Sequence, residues 1–180
     1  PIPLADVFGT LVGQGDEGIR RIVLEWRLPR ITLAILGGAA LGLSGAIFQS
    51  MTRNPLGSPD IIGFSAGAYS GALVVALMTG ATGLITTGAL VGGLVTALAA
   101  YALAFKGGLL GFRLIVVGIA ITALLNSFNA YLLVTSRLES AVSAALWGAG
   151  SLNGVRWDDV LPVAWSLVLL IPICVLFIGR

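Results

Sequence analysis

Three groups of residues have types and spacings that could do chemistry. Gly63-Phe64-Ser65-Ala66-Gly67 matches G-x-S-x-G, the elbow that presents a nucleophilic serine in many hydrolases. Such a serine needs a base to take its proton, most often His. The sequence has no His, and its single Lys, Lys106, stands at the far end of the following apolar run. Small residues packing a helix are the simpler reading, with an intramembrane serine enzyme using Ser65 as the alternative. The second group is Gly118, Thr122, Asn126 and Asn129, which share one face at helical spacing. An amide in hydrocarbon must find a partner, because leaving it unsatisfied costs several kcal/mol. Two readings stand side by side: a polar stripe lining a substrate path, or hydrogen bonds between helices. Gln49 and Ser44 carry the same ambiguity. The third group, Arg27-Leu28-Pro29-Arg30, sets two guanidinium groups where a helix enters an apolar run. They are either snorkelling anchors or fixed cations for a carboxylate on a partner.

Other chemistries lack their residues. There is no H-E-x-x-H and no pair of Cys or His to hold a metal, and no G-x-x-x-x-G-K-[ST] to cradle ATP. The only cysteine, Cys174, sits in an apolar run and reads as a small hydrophobe. A net charge of +2 with one Lys gives no basic face for nucleic acid.

The elements that must position these groups are membrane helices. Charged residues make up 10% of the chain and hydrophobic ones 57%, with a mean hydropathy of +1.02; soluble domains are nearer a quarter charged. Ile31 to Thr52 and Ile61 to Phe105 carry no charge at all. A run of about twenty such residues crosses the hydrocarbon core once, so the second run holds two crossings. The expectation is an all-α polytopic bundle with crossings over about 31–51, 61–78, 84–105, 114–135 and 160–178. Residues 1–30 read as a solvent-exposed lead-in, with short interfacial helices over Val7–Val12 and Ile19–Trp26, and Pro29 in the first turn of the first crossing. A surface helix is expected over about 139–147, and Pro172 as a kink. Between the charge-free runs lies a polar knot, Arg53-Asn54-Pro55-Leu56-Gly57-Ser58-Pro59-Asp60, whose prolines bias the preceding residues away from helix. Small residues recur at spacing four in Gly38/Gly42, Gly63/Gly67/Gly71 and Gly88/Gly92, a pattern for close helix approach in lipid.

Alternation puts residues 1–30, the Gly80 turn and 137–157 on one side of the membrane, and the knot, the Lys106 loop and Arg180 on the other. The Lys/Arg count favours the first side as cytoplasmic, yet seven of the eight acids lie there too, and charge alone leaves orientation open. Pro1 to Leu11 lacks the pattern of a signal peptide. Both ends read as cut rather than natural.

Taken in order, Arg27 to Arg30, Gly45-Ala46-Ile47-Phe48-Gln49, Arg53 to Gly63, Phe112-Arg113-Leu114-Ile115 with Gly118-Ile119, and Leu146 to Gly154 resemble the iron–siderophore and cobalamin permeases of bacterial ABC importers. Within that family the wording of Asn54 to Phe64 and Ser151 to Gly154 is most similar to a ferric enterobactin permease subunit. The resemblance implies a ten-helix permease of the bacterial inner membrane, of which this chain spans about the second to the sixth helix, without the coupling helices that would follow Arg180. It implies a homologous second permease in a heterodimer, a periplasmic siderophore-binding protein and a ferric siderophore as cargo. Two ATPase subunits would hold ATP and Mg, so this chain binds no cofactor and is not itself an enzyme. Half of a secondary transporter is a further alternative. It also implies an orientation: Arg27 and Arg30 match periplasmic arginines that pair with glutamates of the binding protein. The knot and the Lys106 to Phe112 loop match the cytoplasmic gate, giving Asn54, Pro55, Leu110 and Gly111 as gate residues. Gly107 to Gly111 departs there from the family's Ser/Thr-containing loop. The helix carrying Thr122, Asn126 and Asn129 matches the family's pathway-lining helix, with Gln49 as a further path residue.

Overall fold

The computed structural model describes residues 2–14, 16–79, 82–105 and 111–178. They are helical throughout, with turns and no strand among them. In chain order the elements are α1 (Leu4–Leu11), α2 (Glu17–Arg20), a π-helical segment (Arg21–Arg27), α3 (Leu28–Thr52), a 3-10 turn (Pro59–Ile62), α4 (Phe64–Thr79), a second 3-10 turn (Thr82–Leu84), α5 (Ile85–Ala104), α6 (Gly111–Thr135), α7 (Leu138–Gly148) and α8 (Trp157–Ile178). Four helices among the described residues are long and apolar enough to cross a membrane, those over Glu17–Thr52, Ile85–Ala104, Phe112–Thr135 and Trp157–Cys174. The protein is an all-α, multi-pass membrane bundle.

Two elements depart from the sequence expectation. Residues 17–30 are not a separate lead-in: α2, the π-helical segment and α3 form one continuous helix from Glu17 to Thr52. Pro29 reads as a helix start, but a proline can sit further in if the turn behind it is opened. Its ring would otherwise meet the carbonyl four residues back. Here the Leu28 N–H reaches the Val23 carbonyl, five residues back, which is the wider turn of a π-helix. Pro29 itself is fully buried. The second departure is α4. Its 16 residues span about 24 Å, short of the ~30 Å hydrocarbon core. The Pro59–Ile62 turn and Gly63 occupy the positions where the sequence suggested its first turn. In α8, Pro162 and Pro172 both lie inside a helix that runs unbroken from Trp157 to Ile178.

The chain divides into two units, Pro1–Leu43 with Leu152–Arg180, and Ser44–Ser151. The second is built around α4 and α5, which interlock through glycines. A Cβ on Gly71 would stand 3.0 Å from the Gly92 Cα and collide with the Gly88 carbonyl, and one on Gly67 would strike Thr96 and the Gly92 carbonyl. Without side chains in the way the two backbones touch, which gains dispersion contacts that lipid cannot replace. Gly118 plays the same part on α6, where a Cβ would run into the Ile61 carbonyl and the Ile62 Cα of the 3-10 turn. At that end Phe48, Ala104 and Leu114 form a buried cluster, with Ile62 and Val117 packed against it. The Gly38/Gly42 stripe of α3 differs: a Cβ at either position meets nothing within 4 Å among the described residues.

Candidate functional site

The knot is constructed almost wholly from bonds to near neighbours. α3 ends with Arg53 in the left-handed region (φ 50°), and the Asn54 N–H bonds the Gln49 carbonyl at 3.2 Å while the Arg53 N–H bonds that of Ser50 at 3.3 Å. This is the double closure of a Schellman end, with an arginine where glycine is usual. Asn54-Pro55-Leu56-Gly57 then makes a tight turn: the Gly57 N–H reaches the Asn54 carbonyl at 3.0 Å, and the Asn54 Oδ1 accepts the Leu56 N–H at 3.0 Å. Proline suits the second position of such a turn. A Cβ on Gly57 would lie 2.7 Å from the Thr52 Oγ1 and 3.2 Å from the Phe48 ring, so the turn folds back onto the end of α3. Ser58 caps the 3-10 turn by accepting the Asp60 N–H at 3.3 Å, with Pro59 next to it. Gly63, at φ 80°, leads into α4. Of the expected gate residues, Asn54 and Pro55 are therefore turn-forming; Gly111 begins α6, and Leu110 lies outside the described residues, as does Lys106. Arg113 closes the neighbouring corner, its Nη2 donating to the Leu103 carbonyl in the last turn of α5 at 2.9 Å. A cation there also complements the helix dipole.

Ser65 lies at the start of α4, and its hydroxyl donates to the Asp60 carboxylate. The hydroxyl thus ties α4 to the knot. Asp60 was not singled out by the G-x-S-x-G pattern, although a carboxylate five residues before a serine across a turn is within its reach.

The polar stripe on α6 separates into inward and outward members. Asn129 is 4% exposed. Its Oδ1 accepts from the Ser70 hydroxyl at 2.7 Å, and its Nδ2 donates to the Ala66 carbonyl at 3.4 Å. The Ser70 hydroxyl also lies 2.9 Å from the Ala66 carbonyl, sharing its one proton between two acceptors. Asn129 thus bonds α6 to α4. Thr122 is half-buried, returns its hydroxyl to the Gly118 carbonyl at 2.8 Å, and abuts Gly63, where a Cβ would lie 3.0 Å from its Oγ1. Asn126 and Gln49 are exposed, and neither side chain makes a hydrogen bond among the described residues. Every buried side-chain polar atom among the described residues does have a partner. The unpaired amides are therefore only on outward faces.

Arg27 and Arg30 lie in the other unit, where the π-helical segment gives way to α3. Both are exposed. Arg30 Nε donates to the Leu152 carbonyl at 3.0 Å, and Trp157 Nε1 donates to the Leu24 carbonyl at 3.0 Å. These two bonds lash the start of α8 and the segment before it to the first turn of α3 and the π-helical segment. Between them opens a polar pocket of about 290 Å³ lined by Glu25, Trp26, Arg30, Gly154, Val155 and Arg156. Arg27 is not part of its lining. Arg30 stands out in the sequence by its Arg-Leu-Pro-Arg setting, whereas Arg156, which also lines the pocket, carries no local signal beyond standing one residue before α8.

Comparison with known proteins matches this arrangement to one family. The model of the FecCD transport family covers residues 1–180. The chain is 47% identical over 177 residues to the ferric enterobactin transport system permease protein FepG of Escherichia coli K12, covering 98% of this chain and 54% of that protein. It is 38% identical over 174 residues to the achromobactin transport system permease protein CbrC of Dickeya dadantii, covering 95% of this chain and 50% of that one. The fold superimposes on a solved structure described as an inward-facing metal-chelate type ABC transporter, with a TM-score of 0.77 and 26% identity over 93% of this chain and 58% of the other. The chain spans about half the length of the curated relatives it matches. With the family model matched from end to end and the fold shared, the chain belongs to the FecCD transport family.

Proposed function

We propose that this chain is part of the permease subunit of an ATP-driven importer that carries a ferric siderophore, of the enterobactin-like catecholate class, across the bacterial inner membrane. The observation that carries this reading is the 47% identity, over 98% of the chain, to a ferric enterobactin permease. The Arg27/Arg30 end of α3 faces the periplasm and docks a siderophore-binding protein. The knot faces the cytoplasm, where Asn54 and Pro55, with Leu110 and Gly111, belong to the gate. A second, homologous permease completes the path in a heterodimer, and two ATPase subunits hold ATP and Mg and supply the motive force.

Exposed, unpaired amides support Asn126 and Gln49 as path residues. Left against lipid, each would cost several kcal/mol; facing a hydrated path or a partner subunit, each is satisfied. The bonded state of Asn129 supports a framework role beside the path.

The test is growth of a deletion strain on single iron sources. Loss of growth on ferric enterobactin, with growth on ferric hydroxamates and ferric citrate retained, is the expected result. Retained growth on enterobactin with loss on another siderophore would reassign the cargo. Uptake that persists when ATP is depleted and collapses with the proton gradient would overturn the importer reading.

A further inference from the structure

The pocket beside Arg30 has a second cation that the docking reading does not use. Arg156 stands just before α8. Its backbone N–H donates to the Asp159 Oδ2 at 2.9 Å, so the nearest acid is engaged with the main chain, in the manner of a helix-capping carboxylate three residues on. The guanidinium of Arg156 makes no ion pair among the described residues; the one ion pair there joins Arg21 to Glu25 at 4.0 Å. Glu25, the only acid lining the pocket, is thus turned toward Arg21. Arg30 spends its Nε on the Leu152 carbonyl, which fixes its planar head and leaves the terminal nitrogens free. Gly154, at φ 78°, turns the chain so that Arg156 comes back to the same pocket. Trp157, held by its bond to Leu24, keeps that segment in place.

Two arginines lining one polar pocket of about 290 Å³ make a seat for one carboxylate, since the fork of Arg matches carboxylate oxygens in pairs. We propose that Arg30 and Arg156 together clasp a single acidic side chain of the periplasmic binding protein, and that Arg156 is a docking residue of its own. This rests on the docking reading above and adds to it a residue outside the Arg-Leu-Pro-Arg run; Arg27 does not line the pocket. Arg156 belongs to the segment after α7, remote in sequence from Arg27 and Arg30, so the seat depends on two parts of the chain arriving together.

The experiment measures docking of the binding protein to the assembled importer in nanodiscs, by biolayer interferometry at about 0.15 M and 0.5 M salt, for wild type and for R156E, R156Q, R156K, R30E and R27E. Expected is at least tenfold weaker docking for R156E, about fivefold for R156Q and partial recovery for R156K. R156Q should also flatten the salt dependence of Kd, which a purely structural loss would leave unchanged. Changing the binding protein's surface acids to amides one at a time should find a single residue whose removal makes R156Q silent. If R156E assembles poorly, R156Q decides, because it removes the charge without reversing it and keeps the backbone bond. Docking of R156Q and R156E within twofold of wild type, while R27E and R30E are weakened, would overturn the seat and leave the docking reading intact. All variants within twofold would overturn both.

Discussion

Replacing Asn129 and Asn126 separately by Leu tests whether burial separates framework from path. Asn129→Leu removes two hydrogen bonds, one from the Ser70 hydroxyl at 2.7 Å and one to the Ala66 carbonyl at 3.4 Å. Interhelical bonds in membranes average about 0.6 kcal/mol each and reach about 1.7. The loss is therefore ~1.2 kcal/mol, with the longer bond weighted toward the low end. It should not rise to the cost of a buried orphan, because the Ser70 hydroxyl keeps the Ala66 carbonyl at 2.9 Å. Adding Ser70→Ala to Asn129→Leu should then cost only a further few tenths of a kcal/mol, a non-additive cycle that marks the pair as coupled. Asn126 is exposed and has no such bonds, so Asn126→Leu should change stability by less than about 0.5 kcal/mol while lowering uptake. Reversible unfolding of the purified full-length subunit gives the energies, and uptake of radiolabelled ferric siderophore gives the activity. The reasoning fails if Asn129→Leu leaves stability untouched and abolishes uptake, or if Asn126→Leu transports at the wild-type rate.

The glycine interlock gives a second pair of variants: Gly71→Val forces a side chain into the Gly88 backbone and should cost ~2–3 kcal/mol of bundle stability. Gly38→Ala, which meets nothing among the described residues, should change it by less than about 1 kcal/mol, as thermal unfolding would report. Arg53→Gly relieves a left-handed residue at φ 50° and should stabilise the end of α3 by ~0.5–1 kcal/mol, read as slower hydrogen exchange at Asn54; faster exchange would show that the arginine side chain itself holds the corner.

What could be read from the sequence was what depends on local pattern. Charge-free runs of this length became helices because a helix satisfies its own backbone in lipid, and Pro55, Pro59 and Gly57 announced a turn. The limits fall where a distant neighbour decides. Gly67/Gly71 and Gly38/Gly42 have the same spacing, yet the first pair meets another helix and the second does not. Asn126 and Asn129 lie on one face at helical spacing, but only Asn129 comes opposite Ser70. Pro29 was read as a start because sequence shows the missing N–H and not the wider turn that accommodates it. The Arg156 wall of the pocket was invisible for the same reason: its partner lies more than a hundred residues away.

That separation has a consequence for how the protein is made. The bonds that close the knot join residues two to five positions apart, so it can form as soon as it leaves the ribosome. The bonds that lash the Arg27/Arg30 end together join residues 122 and 133 positions apart. At synthesis rates of about 5–20 residues per second, the start of α3 waits roughly 6–27 s for its clasp. During that interval Arg30 lacks its bond to the Leu152 carbonyl, so this end of α3 is among the last features of the segment to mature.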